Sequence, residues 1–412
     1  MESRCHSVTQ ATKPGRLAGS EPSPQPPETS GLERQRAWVE VDAAAIEANA
    51  RSLRRHLATS ELMAVVKADG YGHGALTVAR AALAGGASSL GVATLAEGIE
   101  LRRSGIEAPV LVLGGLCHEQ ELRSCLHWRL MPTISGRREA LLCHNLASGQ
   151  GRRMALQLKL DTGMARLGVD WEQGPQLVAA IAELEAVQLA GVYTHLASAD
   201  LPPGEDDGLT RQQQQRFETV LTSLQQQGLD PVCRHLANSA GALSNPGLHY
   251  DLARVGLALY GHPPATHLSG VVALQPAMRL RARVSLIREL AAGVGVSYGH
   301  RFRTQRPSRL AVLAIGYADG VPRALSNQLE VLFRGQRLPQ VGAITMDQLI
   351  VDATDCPALE VGAVVTLLGG DGDQEITPSE WSARCDTIPW EILCGFKHRL
   401  PRLACGGGST AR

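Results

Sequence analysis

The chain has 412 residues, 44% of them hydrophobic, with 40 basic and 40 acidic side chains. That length accommodates two to three domains of ~100–200 residues, and the zero net charge supplies no electrostatic reason for nucleic acid or an anionic membrane as partner. The nine cysteines form no C-x-x-C pair and no zinc-like spacing, which fits free thiols in a reducing compartment, and no apolar run reaches the ~18–20 residues of a membrane span.

Residues 1–36 carry Pro14, Pro22, Pro24, Pro26 and Pro27 among polar side chains and lack the apolar core of a signal peptide. They read as a disordered tail. Order begins at the alternating run Ala37–Val41. Asp42 then caps a helix to about His56, with Ile46, Leu53 and Leu57 near helical spacing. Short apolar runs next alternate with Ala- and Leu-rich helical stretches. The strand candidates are Leu62–Lys67, Leu90–Thr94, Val110–Gly114, Met131–Ile134, Ala155–Asp161, Leu189–His195, Arg234–Ala237 and Asp251–Val255. Such a series suits a (β/α)₈ barrel of ~250 residues. A doubly wound open sheet is the alternative, because period alone does not say whether a sheet closes. The glutamines at 212–215 and 225–227 read as the solvated face of a helix. After Pro263-Pro264 the runs Met278–Ile287, Leu310–Ile315, Gln340–Met346 and Val361–Leu368 alternate like antiparallel strands. The expected division is a barrel over 37–268, a mostly β domain over 269–403 and a disordered tail over 404–412.

Chemistry-bearing residues gather at the C-terminal ends of the strand candidates, the face where barrel sites form. Lys67 ends an apolar run and enters Ala68-Asp69-Gly70-Tyr71-Gly72-His73-Gly74. A lysine leaving a buried strand is desolvated, which frees its amine for imine chemistry. Lys159-Leu160-Asp161-Thr162-Gly163-Met164-Ala165-Arg166 offers an arginine suited to a carboxylate, although Asp161 and Thr162 equally suit a cap. His195 ends a further strand, as a cofactor contact or as a satisfied polar residue. Ser239 and the amides near Gly256 can cradle a phosphate. In the second half, Tyr298, Tyr317 and Ile344-Thr345-Met346-Asp347-Gln348 stand out beside glycine-rich turns.

Together and in this order, these motifs resemble the alanine racemases over residues 37 to about 403. The most specific stretch is Ala64-Val65-Val66-Lys67-Ala68-Asp69-Gly70-Tyr71-Gly72-His73-Gly74. The resemblance implies a (β/α)₈ barrel followed by a β domain, pyridoxal 5′-phosphate as cofactor, alanine as substrate, and a cytoplasmic homodimer with shared active sites that feeds D-alanine to peptidoglycan. It implies that Lys67 holds the cofactor aldehyde and that Tyr71 and His195 lie near the cofactor. It places Ser239, Gly256 and Leu257 at the phosphate and Arg254 at the pyridine nitrogen. Arg166 and the Met346 amide are expected to hold the substrate carboxylate. Tyr298 is the expected second base, reaching over from the partner with Met346, while Lys159, as a carbamate, positions Arg166. Tyr317 and Asp347 are supporting positions. Trp390 stands where the family usually has tyrosine near the phosphate, and Thr345 replaces a common cysteine. An indole donates but does not accept a hydrogen bond, so the cofactor network is expected to differ there. The competing expectations are a racemase for serine, a decarboxylase of related architecture, and a noncatalytic carrier of pyridoxal phosphate.

Overall fold

The computed structural model describes residues 35–405 except 203, 230 and 232, so the expected tails lie mostly outside the described residues. Eight parallel strands form one sheet in the spatial order Leu252–Val255, Glu61–Val65, Ser89–Val92, Val110–Gly115, Met131–Ile134, Met154–Asp161, Val187–Tyr193 and Arg234–His235. All eight strand candidates are present. The two edges come together: the Asp251 N–H donates to the Arg234 carbonyl and the Arg254 N–H to the Ala237 carbonyl, each at 3.0 Å. The sheet is therefore a nearly closed barrel, and the open-sheet alternative falls away.

Burial on both faces explains why these strands read as apolar runs. Ser89–Val92 and Leu252–Val255 are buried throughout, as strands covered by helices outside and by packed side chains within must be. Helices follow the strands and cover the outside. Their starts are written locally: Asp42 accepts the Ala45 N–H at 3.0 Å, and Thr94 with Glu97 makes a reciprocal cap on Leu95–Arg103.

The second sheet runs Gln336–Pro339, Glu330–Phe333, Val364–Asp371, Met278–Leu290, Ala37–Asp42, Arg402–Cys405. Ser308–Leu313 also pairs with Met278–Leu290, and Leu349–Asp352 pairs with it in turn. Ala37–Asp42, which the sequence groups with the barrel, belongs to this sheet. It is antiparallel to Met278–Ala282 and parallel to Arg402–Cys405, so the two ends of the described chain meet in it. Strand Arg402–Cys405 includes Ala404 and Cys405, which the expected tail had claimed.

Two local expectations are corrected. Residues 340–346 form a loop with one isolated bridge from Gln340 to Val351. Side chains occupy its backbone: Gln340 Nε2 donates to the Val341 and Gly342 carbonyls, while Asn327 and Ser326 accept from Gly342 and Ile344. Gly342 also has φ +77°, a left-handed conformation foreign to a strand. Within Leu209–Gln226, Gln213 is fully buried rather than solvated. Among the described residues no helix is long and apolar enough to cross a membrane.

Candidate active site

A cavity of about 1000 Å³ opens at the C-terminal ends of the barrel strands. Lys67, Tyr71, Lys159, Arg166, His195, Ser239, Arg254, Gly256, Leu257 and Trp390 all line it. Ten of the expected positions therefore meet in one place, although they span more than three hundred residues of sequence.

Lys67 sits at the start of an unusual turn. Ala68, Asp69, Gly70 and Tyr71 all have φ between 51° and 61°, and Gly72 follows at φ +80°. A left-handed residue with a Cβ costs ~1–2 kcal/mol, and three of these four carry one. The turn persists because its polar groups are engaged. Asp69 accepts the Ala75 N–H at 2.9 Å, and the Gly70 N–H donates to the Val66 carbonyl at 2.9 Å. Gly72 is required by approach as well as by φ, since a Cβ there would collide with the Leu393 carbonyl of Pro389–Cys394. That helix carries Trp390 into the cavity. Burial lowers the Lys67 amine below the usual lysine range, and Arg166 lowers it further, against smaller opposing effects of Cys394 and Glu97.

Arg254 is the buried centre of a chain of neutral acceptors. It donates to His235 Nδ1 at 3.0 Å, His195 Nδ1 at 3.0 Å, the Thr194 carbonyl at 2.8 Å and the Leu236 carbonyl at 3.1 Å. Because a guanidinium only donates, both imidazoles accept through Nδ1 and keep their proton on Nε2. The His235 Nε2–H donates to Gln157 Oε1 at 2.6 Å. Burial, then Arg254, holds His195 and His235 well below the ordinary histidine range, so both stay neutral. Burial also pulls Arg254 down to about 10. Tyr193 compensates with its ring face, 5.1 Å from the Arg254 guanidinium and 5.6 Å from the Lys159 amine.

Lys159 is only 6% exposed. Burial lowers it to about 8, with Arg254 and Arg166 adding to the shift. Beyond its strand, Asp161 Oδ1 accepts the N–H groups of Gly163, Met164 and Ala165 at 2.9–3.1 Å. Asp161 is thus a turn cap that presents Arg166, the plainer of its two expected roles. At the opposite side, the Gly256 N–H donates to Ser239 Oγ at 3.0 Å. This amide, expected at a phosphate, is therefore tied to its neighbouring hydroxyl. The Tyr71 hydroxyl packs where a Gly256 side chain would stand.

Four expected positions lie away from the cavity. Tyr298 and Met346 are 72% and 53% exposed, and Tyr317 is exposed as well. The turn at Tyr317–Asp319 rests on the Met346 loop through N–H bonds from Tyr317 to the Thr345 carbonyl and from Ala318 to the Met346 carbonyl, both at 3.0 Å. Asp347 accepts from Arg399 at 2.7 Å.

Two residues of the site are missing from the sequence reading. Glu97 accepts the Ala68 N–H at 2.7 Å, directly after Lys67. Gln213 donates to the His195 carbonyl and Thr162 Oγ1 and accepts from the Ala197 N–H at 2.9–3.2 Å. Glu97 was visible only as the fourth residue of a capping pattern, and Gln213 was hidden in a polar run.

Residues 41–264 match the family model described as alanine racemase, N-terminal domain, and residues 277–404 the model described as alanine racemase, C-terminal domain. An alanine racemase of Prochlorococcus marinus is 54% identical over 372 residues, 90% of this chain and 96% of that protein. The crystal structure of alanine racemase from D-cycloserine-producing Streptomyces lavendulae aligns with a TM-score of 0.84 at 39% identity, covering 90% of this chain and 98% of the other. A crystal structure of alanine racemase from Bartonella henselae, described with covalently bound pyridoxal phosphate, aligns at 0.80 and 32% identity over 90% of this chain and all of the other.

Proposed function

The chain belongs to the alanine racemase family and interconverts L- and D-alanine, and from that premise we propose that it works with pyridoxal 5′-phosphate held on Lys67, by two bases, in a homodimer with shared sites. The observation that carries this reading is the convergence of a depressed lysine, the Ser239–Gly256–Leu257 corner and a buried arginine in one cavity.

The residues fit the cofactor. The Lys67 amine suits its aldehyde, Ser239 with the Gly256 and Leu257 backbone suits its phosphate, and Arg254 faces the interior with only neutral acceptors around it. When bound, pyridoxal phosphate supplies an electron sink for the α-carbon. The protein does the rest. Arg166, with the Met346 amide of the second subunit, holds the substrate carboxylate. Lys67, made less basic by burial, takes or returns a proton on one face of the α-carbon. Tyr298 of the second subunit serves the opposite face, which accounts for its exposure in a single chain. Arg254, hydrogen-bonded to the neutral His195, supplies positive charge on that side of the cavity. Lys159 as a carbamate holds Arg166. Tyr71, Tyr317, Asp347 and Trp390 shape the cofactor and substrate walls. A division into a barrel that begins after Ala37–Asp42 and a β domain that takes in that strand is part of the same reading, as are a cytoplasmic location and a D-alanine supply for peptidoglycan.

The test is racemisation of L-alanine by purified protein, with the visible spectrum recorded and serine as the competing substrate. We expect turnover and an absorbing lysine adduct, both lost in Lys67→Ala. A chromophore that persists in Lys67→Ala without added amine overturns the reading.

A further inference from the structure

We propose that Glu97 is a positioning residue for Lys67, holding the strained backbone that carries the reactive lysine by one carboxylate that bridges two strand ends. This rests on the assignment of Lys67 to the cofactor aldehyde.

The geometry is specific. Glu97 lies in the first turn of Leu95–Arg103. Its Oε2 accepts the Ala93 and Thr94 N–H groups at 2.7 and 3.0 Å, which closes the helix cap at the end of strand Ser89–Val92. Its Oε1 reaches across to the Ala68 N–H at 2.7 Å, after the neighbouring strand Glu61–Val65. A capping glutamate needs only the Thr94 N–H; the bond across to Ala68 is additional. Ala68 is the first left-handed residue after Lys67, and an alanine there reverts to the right-handed or extended region unless its surroundings hold it. One peptide link separates that residue from the Cα of Lys67. Loosening it moves the amine relative to Arg166, Lys159 and His195, which share its cavity.

The carboxylate also acts through its charge. Around Lys67 stand Lys159 from strand Met154–Asp161, Arg166 and His195 from the segments that follow barrel strands, Cys394 from Pro389–Cys394, and Glu97. Glu97 opposes the depression of the amine. Its neutralisation therefore moves the Lys67 titration to lower pH.

Three full-length variants test this: Glu97→Gln, Glu97→Asp and Thr94→Ala. Each protein is cleared of bound aldehyde with hydroxylamine and mixed with pyridoxal 5′-phosphate at a series of pH values. Borohydride then fixes the adduct, and mass spectrometry counts it on the Lys67 peptide. Glu97→Gln slows trapping on the order of tenfold, the loss of one charged hydrogen bond, and shifts the rate profile to lower pH. Glu97→Asp keeps the charge but is one methylene too short to bridge both loops, so it slows trapping with little pH shift. Thr94→Ala removes the hydroxyl that accepts the Glu97 N–H at 3.3 Å; it lowers thermal stability and leaves trapping unchanged. Unchanged trapping in Glu97→Gln, or equal slowing in Thr94→Ala, overturns the proposal and leaves Glu97 a helix cap. If Glu97→Gln does not fold, Glu97→Asp against Thr94→Ala decides by the same criterion. Absence of the Lys67 adduct in the unaltered protein would instead refute the cofactor assignment.

Discussion

At the scale of single residues, the site is a collection of cations that burial has weakened. Lys67, Lys159 and Arg254 all stand below their ordinary values with desolvation as the leading cause, and each further cation nearby adds to the effect on the two lysines. Lys159 at about 8 has the neutral amine that carbon dioxide requires, increasingly so as the pH rises past that value. A carbamate there replaces a cation beside Arg166 by an anion. We therefore expect protein stripped of carbon dioxide and assayed below pH 8 to show a raised KM for alanine, restored by bicarbonate. A KM indifferent to bicarbonate, together with a high-resolution map ending at Lys159 Nζ, would refute the carbamate. Lys67, Arg166 and Arg254 were all legible from their motifs. The physical state of Lys159 was not, because desolvation depends on which strands lie alongside.

At the scale of elements, turns and helix starts place the side chains. The left-handed turn at Ala68–Tyr71 aims Lys67 and Tyr71 into one cavity, and Gly72 lets the Trp390 helix close upon it. Helix Leu209–Gln226 contributes from outside the barrel through Gln213, which satisfies the His195 carbonyl, the Ala197 N–H and the Thr162 hydroxyl. Gln213→Leu strands these groups in a buried place, and we expect a loss on the order of 3 kcal/mol in urea unfolding, with kcat falling as His195 loses its hold. An unchanged unfolding midpoint would show that water takes the amide's place. The run of glutamines hid this residue because helical period shows which positions share a face, not which face turns inward. Likewise 340–346 imitated a strand by alternation, while side-chain amides and hydroxyls had already taken its backbone groups.

At the scale of the whole molecule, the cavity of one chain holds Lys67 but not the proposed second base. Tyr298 and Met346 are carried on the β domain, exposed and away from the cavity. The proposed symmetric homodimer would bring them to it. Mixing unfolded Lys67→Ala and Tyr298→Phe chains and refolding them together should give about a quarter of the unaltered activity, since half the dimers are mixed and each has one site with both bases. No recovery above either parent would refute the shared site.

The sequence by itself determined the strand and helix succession, the alternation of strands and helices that limits the fold to a barrel or an open sheet, and the motif lysine that lines the cavity. Apolar runs of strand length, helix caps and short motifs are local, and local patterning suffices for them. Only the tertiary structure decided that the sheet closes, that Ala37–Asp42 joins the second sheet, and that Glu97 and Gln213 belong to the site. Each of these depends on hydrogen bonds between residues far apart in the chain, which no local pattern encodes. Lys67 stands at the meeting of the two: its motif names it, and a carboxylate on the helix after the next strand accepts the N–H that directly follows it.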